Sequence, residues 1–423
     1  MNRFRLDDLR PHVYRTKDGG KSWRELVAGI PANEVVNAVR EDPLQRGLLF
    51  AGTERSVYVS FDDGERWQPL RLNLPASAVR DLVVHGNDLV VGTHGRSFWI
   101  LDDVTPLRQI AAAARATDAY LYRPAPVVRV RWNENTDTPL PPDEPAGQNP
   151  PDGAILDYYL AHAASGPVTL EVLDARGNVV RRFSSADQPE RPDSDVNIPT
   201  WWIRPPQLLS DAPGMHRFVW DLHYPPPPAL RHEYPIAAIY RNTPREPRGP
   251  WVVPGRYTAR LTVAGQAYVQ PLTVTMDPRV ALPPGALARQ FALASRLVAA
   301  LRGDSAALEQ VRALRKELKA VRERAGTGPL GATLDSLDAR AATLETGGPA
   351  PAPGARREEN LTRLNGELVQ LYGVIQGVDA APTTQAVAAV RELERALAER
   401  LARWRELQGS FRSATRGVQY ERP

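Results

Sequence analysis

The stretch VYRTKDGGKSW, from Val13 to Trp23, returns 44 residues later as VYVSFDDGERW, from Val57 to Trp67. Both copies contain the pattern Ser/Thr-x-Asp-x-Gly-x-x-Trp. Its residues are Thr16, Asp18, Gly20 and Trp23 in the first copy and Ser60, Asp62, Gly64 and Trp67 in the second. Internal similarity at a period of 40–50 residues is typical of repeat architectures, so this repeat decides the fold of the first quarter of the chain.

The pattern, known as an Asp box, predicts a hairpin turn. An Asp side chain can accept hydrogen bonds from amides of its own turn, and glycine permits a positive φ there. The tryptophan is expected to pack into the sheet. Asp18 or Asp62 could instead be a catalytic acid, but a motif that recurs in every repeat is better explained as a structural turn than as a single site.

A third, degraded copy follows. GTERSVYVSFDDG, from Gly52, aligns with GTHGRSFWILDDV, from Gly92, although Val104 replaces the glycine of the motif. Short strand-like segments between the copies and this period together predict a β-propeller, with one four-stranded blade per repeat. Residues 1–112 therefore predict about two to three blades.

Two to three blades are too few to close a propeller, which typically has 4–8. The first copy also lies in the middle of a predicted blade. An open stack would expose strand edges, which favour aggregation. We therefore expect further N-terminal blades, in the same chain or in a companion chain.

The rest of the chain predicts two more regions. Residues 113–281 alternate strand-like segments with proline-rich connections and predict an Ig-like β-sandwich. Residues 282–423 are rich in Ala, Leu, Arg and Glu with helical periodicity, and predict a helical bundle. Within it we expect separate helices at 285–301, 304–325, 331–345, 357–377 and 384–408, with Asp304 as an N-cap of the second and Thr383 or Thr384 capping the last helix.

Composition excludes several kinds of site. The chain has no cysteine, so disulfides and cysteine nucleophiles are impossible. Basic residues alternate with acidic ones and the net charge is only +4, so we expect no nucleic-acid binding. No segment is apolar enough to span a membrane.

Signals for cofactors and metals are weak. Asp193, Asp195 and Asn197 resemble the start of a calcium loop, but Ile198 stands where glycine is required. We therefore expect no metal and no cofactor. Three tryptophans are candidates either for a sugar-stacking platform or, more simply, for the core of the sandwich: Trp201, Trp202 and Trp251.

The runs GLLFAGTERSVYVSFDDGERWQPL and DLVVHGNDLVVGTHGRSFWILDD resemble bacterial Asp-box (BNR) repeat proteins of the glycosyl hydrolase, sialidase-like and sortilin-like type. HRFVWDLHY and PGRYTARLTV are similar to the Ig-like domain that follows the propeller in that family. The resemblance implies that this chain is the C-terminal portion of an exported protein, periplasmic or secreted.

Catalytic residues remain unknown at this level, since no residue matches a catalytic motif of that family. The polar candidates for binding are His94, Arg96, Glu54 and Arg55. We therefore expect a protein- or glycan-binding module without catalytic residues. The alternative is a fragment of a sialidase- or xyloglucanase-like glycoside hydrolase whose active site lies mainly upstream.

Overall fold

The computed structural model describes residues 2–131, 147, 149–189, 191, 196–235, 241–325, 328–348 and 360–415. Among these residues, five β-sheets occupy the first two thirds of the chain, and long helices occupy the last third. This confirms the predicted order of mainly β structure followed by helices. Among the described residues, no helix is both long enough and apolar enough to cross a bilayer.

Three antiparallel sheets come first. Their strands are β1 (Tyr14–Arg15), β2 (Arg24–Glu25), β3 (Val36–Glu41), β4 (Leu49–Thr53), β5 (Val57–Ser60), β6 (Gln68–Pro69), β7 (Val79–His85), β8 (Asp88–Thr93) and β9 (Phe98–Leu101). The hairpin β1–β2, the four-stranded β3–β4–β5–β6 and the three-stranded β7–β8–β9 each follow chain order, so each is a simple meander.

The three sheets stack face to face. We call the face of each sheet that points to the next sheet along the chain its front face, and the opposite face its back face. The front of β3–β6, with Phe50, Val57 and Val59, packs on the back of β7–β9, with Leu82 and Val91. The back of β3–β6 forms a second core with the hairpin β1–β2 and the segment that follows it: Ile30, Val36, Ala51, Tyr58 and Trp67, with Val13 against them.

A β-sandwich follows the short helix α1 (Ile110–Ala113). Its strands are β10 (Ala119–Leu121), β11 (Val127–Arg129), β12 (Ala154–Leu160), β13 (Thr169–Leu173), β14 (Val179–Ser184), β15 (Gly214–Trp220), β16 (Gly255–Val263) and β17 (Gln266–Met276). One sheet has the order β10–β12–β15 and the other β11–β17–β16–β13–β14. Residues of both sheets, such as Leu156, Trp220 and Leu261, share one buried core. The alternation of apolar and polar residues along β16 explains this, because successive side chains of a strand point to opposite faces.

The last third contains α2 (Ala286–Ala325), α3 (Pro329–Thr346), α4 (Leu361–Gln376) and α5 (Thr384–Ala414). Ion pairs Arg312–Glu345 and Arg322–Asp335 show that α3 runs antiparallel to α2. α4 continues in the same direction beside the N-terminal half of α2, where Gln290 donates to the carbonyl of Ile375. The pairs Arg296–Glu394 and Gln310–Trp404 make α5 parallel to α2. A cross-section of the bundle therefore cuts three helices: α2, α5, and either α3 or α4, which follow one another end to end.

The prediction of two helices separated before Asp304 is wrong. α2 is continuous through Gly303, and Asp304 is buried in its middle, where its carboxylate accepts a hydrogen bond from Asn365 at 2.9 Å. Apolar contacts on both sides of Gly303 outweigh the roughly 1 kcal/mol that a glycine costs inside a helix. The N-cap at Thr383 is confirmed, since its hydroxyl accepts from the amide of Ala386.

Arginine contacts fix the three regions to one another. Arg217 of the sandwich binds the carboxylate of Asp157 at 3.0 Å and donates to the carbonyl of Asp102, just after β9. Arg129, almost completely buried, pairs with Asp379 after α4. The Arg217 contact holds the segment after β9 against the sandwich. The Arg129 contact holds the segment after α4 against the sandwich.

Candidate functional site

The first Asp-box turn is closed by its own side chains. The hydroxyl of Thr16 donates to Asp18 at 2.8 Å and accepts from the amide of Gly20 at 2.8 Å. The carboxylate of Asp18 accepts from the amide of Ser22 at 2.9 Å and from its hydroxyl at 2.6 Å. Gly20 has φ +92°, a conformation that favours glycine.

The second turn repeats these bonds. The hydroxyl of Ser60 donates to Asp62 at 2.8 Å and accepts from the amide of Gly64 at 2.9 Å. Asp62 accepts from the amide of Arg66 at 2.9 Å, and Gly64 has φ +85°. The three polar or glycine positions of the pattern therefore make the same turn-closing contacts in both copies.

These contacts make Asp18 a poor proton donor. Hydrogen bonds from the hydroxyl and amide of Ser22, followed by the hydroxyl of Thr16, lower the pKa of Asp18 to about 2. A general acid needs a pKa near the working pH, so a carboxyl group that is ionised across the neutral range cannot fill that role. The contacts of Asp18 account for its presence without catalysis.

The two indoles have different surroundings. Trp67 is 2 % exposed, and its Nε1 donates to the carbonyl of Leu26 at 2.9 Å, in the segment just after β2. Trp23 is 61 % exposed, and its Nε1 donates only to the carbonyl of Gly20 within the same turn. Trp67 is buried because the β1–β2 hairpin and its following segment cover it, whereas no described residue covers Trp23 in that way.

The four binding candidates lie at the other end of the sheets. Glu54 and Arg55 belong to the loop before β5, whereas the second Asp box follows β5. His94 and Arg96 belong to the corresponding loop before β9. Neighbouring residues of the β6–β7 connection hold both loops, because the amide of Ser77 donates to the carbonyl of Arg55 and the amide of His94 donates to that of Ala78.

The structure brings the two loops together, with different environments for the four side chains. Glu54 is half-buried and accepts from Asn37 at 3.0 Å and from Arg80 at 2.7 Å. The side chains of Arg55, His94 and Arg96 are exposed. The carbonyl of Arg96 accepts from the indole of Trp99, which fixes the backbone of its loop.

A second ion pair joins β3 to β7, although Arg40 lies toward the Asp-box end of β3. Arg40 of β3 donates to Asp81 of β7 at 2.6 Å, and both side chains are largely exposed. Four arginines and two acids now lie on β3, β7 and the two loops: Arg40, Arg55, Arg80, Arg96, Glu54 and Asp81. We call these six residues, with His94, the loop-end cluster. Its excess of cations favours anionic or hydrogen-bond-accepting ligands.

Sequence analysis missed a buried carboxylate near the loop-end cluster. Glu34 is buried and accepts from the hydroxyl of Thr53 at 2.6 Å and from the phenol of Tyr58 at 2.8 Å. Burial, together with the neighbouring carboxylate, raises the pKa of Tyr58 to about 12. The phenol is kept protonated and buried, so the contacts describe a structural link between the β2–β3 connection and β5.

The proposed tryptophan platform is not formed by all three residues. Trp251 is buried, and its ring is covered by the guanidinium groups of Arg129 and Arg131 at 5.2 and 5.3 Å. It offers no free face, which fits the core alternative. Trp201 is exposed and lines a cavity of about 410 Å³ with Arg204, Pro205 and Pro206.

The calcium-loop residues Asp193 and Asp195 lie outside the described residues. Asn197 donates its amide to the carbonyl of Tyr234 at 3.1 Å. Within the described ranges, no group of three His, Asp or Glu side chains is arranged to hold a metal ion.

Comparison with known proteins identifies no family. No family model and no curated protein matches the chain. Similar solved structures include YCF48 bound to a D1 peptide, with 15 % identity, a TM-score of 0.18, and 36 % of this chain matched to 40 % of that one. A second is the extracellular domain of a hybrid two-component system from B. thetaiotaomicron, with 7 % identity, a TM-score of 0.19, and 64 % of this chain matched to 29 % of that one. The chain spans less than half the length of either, and at these scores neither match extends to the arrangement of the whole molecule.

Proposed function

We propose that the chain is the C-terminal part of an Asp-box propeller protein that binds a protein or glycan ligand through the loop-end cluster. The observation that carries this proposal is that polar side chains are hydrogen-bonded within turns at one end of the stacked sheets and exposed to solvent at the other. At one end the Ser/Thr, Asp and Gly residues of both motifs are engaged in closing a turn. At the other, exposed Arg55, His94 and Arg96 stand on loops with a fixed backbone.

The sheet topology supports the propeller part of the proposal. A propeller blade is a four-stranded antiparallel meander, and β3–β6 has that topology. β7–β9 corresponds to its first three strands, and β1–β2 to its last two, because the Asp box joins the last two strands in both copies. We therefore assign residues 1–112 to a partial propeller of two to three blades.

The remaining regions support the domain division in our proposal. Residues 113–281 contain the two-sheet sandwich with a core of its own, and 282–423 contain the bundle with another. We interpret the sandwich as Ig-like. The sandwich contacts the first region through Arg217 at Asp102 and Asp103, which follow β9, whereas the loops of the loop-end cluster precede β5 and β9. The sandwich would then support the propeller at the end opposite those loops.

The electrostatics of the cluster favour binding over catalysis. Glycoside hydrolysis requires two carboxyl groups that face a substrate at a defined separation. In the cluster, Glu54 is bound by Arg80 and Asn37, and Asp81 by Arg40. Each carboxylate is thus engaged by a cation, whereas the cations of the loops are presented to solvent.

The test is binding of the purified chain to a glycan array and to a displayed peptide library. The double variant Arg55→Ala/Arg96→Ala should weaken binding of any ligand found by at least tenfold, because it removes two exposed cations. The matched control is Arg46→Ala/Arg66→Ala, which removes the same charge at the Asp-box end and should leave affinity within twofold. Equal losses in both variants would contradict the proposed site.

The hydrolase alternative is tested on the same preparation. Release of product from sialoside or β-glucan substrates, abolished by Glu54→Gln or Asp81→Asn, would replace the binding proposal with an enzymatic one. Absence of release from the chain together with a defined ligand supports the binding module.

A further inference from the structure

An exposed tryptophan lines a cavity in the sandwich region, far in the chain from the loop-end cluster. Trp201 belongs to the short turn Thr200–Trp202 and is 55 % exposed, and the cavity beside it has a volume of about 410 Å³. Pro205 and Pro206 line the same cavity and are exposed as well. A large apolar side chain left in solvent at a cavity of this size indicates a place where a ligand binds.

The backbone around the cavity is held by its own hydrogen bonds. The amide of Thr243 donates to the carbonyl of Trp202 at 3.0 Å, and the amide of Arg204 donates to the carbonyl of Thr243 at 2.8 Å. Thr243 itself is buried. The two segments that form the cavity are therefore joined without a ligand, which lowers the cost of ordering them on binding.

The guanidinium group of Arg204 is fixed in orientation. Its Nε donates to Oδ1 of Asn242 at 2.9 Å, and its Nη2 donates to Oδ2 of Asp152 at 3.1 Å. Its Nη1 has no hydrogen-bond partner in the described part of the chain, and the side chain is 25 % exposed. An arginine held in this way presents its remaining donors to a carboxylate in a defined direction.

The charge of the lining favours an anion. Arg204 and the exposed Arg241 both line the cavity, and no acidic side chain is among the described residues that line it. Asp152 offsets part of the charge of Arg204 from outside the lining. The surplus is still positive, so a negatively charged group is attracted to the cavity.

The lining offers no backbone amide to an extended peptide. Pro205 and Pro206 have no amide hydrogen, and the amides of the residues before them are already used within the fold: Trp202 donates to Pro199, Ile203 to Thr200 and Arg204 to Thr243. Peptides that bind as an added strand depend on such amides. Recognition at this cavity therefore depends on side chains, namely a flat indole beside fixed cations.

We infer that this cavity binds a carboxylated sugar ring, a hexuronic acid residue of an acidic polysaccharide. The apolar C–H face of the ring would pack on Trp201, and its carboxylate would accept hydrogen bonds from Arg204. The hydroxyl groups of a sugar stay hydrated, which suits an open cavity, whereas an aromatic acid requires a pocket that encloses most of its surface. The site lies on the sandwich and goes beyond the function proposed for the loop-end cluster.

Isothermal titration of the 423-residue chain with three polyuronates tests the inference. The probes are oligosaccharides of polygalacturonate, alginate and hyaluronan, each compared with its methyl ester, which keeps the rings and removes the charge. We expect at least one acid form to bind, to lose about tenfold or more in affinity on esterification, and to bind more weakly as salt is added. Binding by none of the three would overturn the inference, as would equal affinity for an acid and its ester. Selection of proline-rich peptides at Trp201 in place of the polyuronates would also overturn it.

Two variants with matched controls locate the site. Trp201→Ala should weaken polyuronate binding by about tenfold or more, whereas Trp23→Ala, which removes another exposed indole, should leave affinity within about twofold. Arg204→Lys keeps the charge but loses the planar fork and should also weaken binding, whereas Arg182→Lys on β14 should not. Urea denaturation checks that each variant is folded. Equal losses in a variant and its control would overturn the site.

The double variant Arg55→Ala/Arg96→Ala separates this site from the loop-end cluster. It should bind polyuronates with unchanged affinity, because neither residue lines the cavity. Loss of polyuronate binding in this variant, with binding retained in Trp201→Ala, would move the ligand to the loop-end cluster and overturn the inference. Failure of the cavity to bind polyuronates leaves the function proposed for the loop-end cluster unaffected.

Discussion

The two Asp-box turns are nearly identical in hydrogen bonding and opposite in burial. Thr16 and Ser60 bond the same two positions of their turns, yet Trp67 lies in a core and Trp23 lies in solvent. The turn geometry is therefore a local property of about eight residues. Burial of the indole depends instead on whether a neighbouring sheet is present. The comparison separates the hydrogen bonding of the turn, which the motif sets by itself, from burial, which depends on packing against other segments. Four predictions test this distinction between local contacts and burial.

The largest effect is expected at the tryptophans. Trp67→Ala should lower the free energy of unfolding of the sheets by about 3–5 kcal/mol, because it leaves a cavity and an unpaired carbonyl at Leu26. Trp23→Ala should cost less than about 1 kcal/mol. Urea denaturation followed by circular dichroism measures both. Similar losses for the two variants would show that the indoles have equivalent roles and would break the comparison.

A second prediction contrasts an exposed carboxylate with a buried one. Burial raises the pKa of Asp304 from 3.8 to about 7, against the lowering effect of Asn365. The folded chain therefore holds a proton that the unfolded chain releases, and stability falls as the pH rises from about 4 to about 7. Asp304→Asn should remove this pH dependence and raise the unfolding free energy at pH 8 by about 2–4 kcal/mol.

Asp18→Asn is the control for that experiment. Because the pKa of Asp18 is lowered, its contribution is present above about pH 4 and is lost only as the pH falls toward 2. The control should leave the shape of the stability profile between pH 5 and 8 unchanged. A profile for Asp304→Asn that still falls over this range would contradict the assignment of the buried proton.

The third prediction separates backbone strain from packing in the two turns. Both glycines have positive φ, so alanine at either should cost about 1 kcal/mol. A Cβ on Gly64 would also press on Leu26 and Leu49 at 3.2 and 3.3 Å, whereas one on Gly20 has its nearest neighbour, Trp23, at 3.8 Å. Gly64→Ala should therefore cost about 2 kcal/mol and Gly20→Ala about 1 kcal/mol in thermal or urea unfolding. Equal costs would mean that packing against Leu26 and Leu49 adds nothing to the cost at Gly64.

The smallest effect is expected at the loop end. Asp81→Asn breaks the exposed pair with Arg40 and should change the unfolding free energy by no more than about 0.5 kcal/mol. Urea denaturation at low and moderate salt checks this. A loss of unfolding free energy above about 2 kcal/mol would show that the Arg40–Asp81 pair holds β3 and β7 together. It would also weaken the assignment of the cluster as a binding surface.

Local patterns anticipated much of the fold. The repeat located β5 and the turn after it, the helical periodicity located α3 to α5 within a few residues, and Thr383 was identified as an N-cap. These features depend on residues close together in the chain. The helix break before Asp304 was predicted from local capping chemistry and is wrong, because packing of α4 against α2 keeps the helix continuous and leaves the carboxylate in the interior.

The candidate site was anticipated in part. Glu54, Arg55, His94 and Arg96 were identified as polar candidates, and the structure places their two loops together through Ser77 and Ala78. Whether these residues bind a ligand stays a prediction. Glu34 was missed because its partner Tyr58 lies 24 residues away, and nothing in the local pattern around Glu34 distinguishes it from a solvated glutamate.

By itself the sequence determined the Asp-box turns, the strand repeat and the order of β structure before helices, since each follows from hydrogen bonds and periodicity over short distances. Tertiary structure alone decided that Trp67 is buried and Trp23 exposed, that Asp304 lies inside a helix, and that Phe98 and Ile100 face solvent while Val57 and Val59 do not. The physical reason is that desolvation depends on which surfaces meet, and surfaces meet between segments that are distant in the chain.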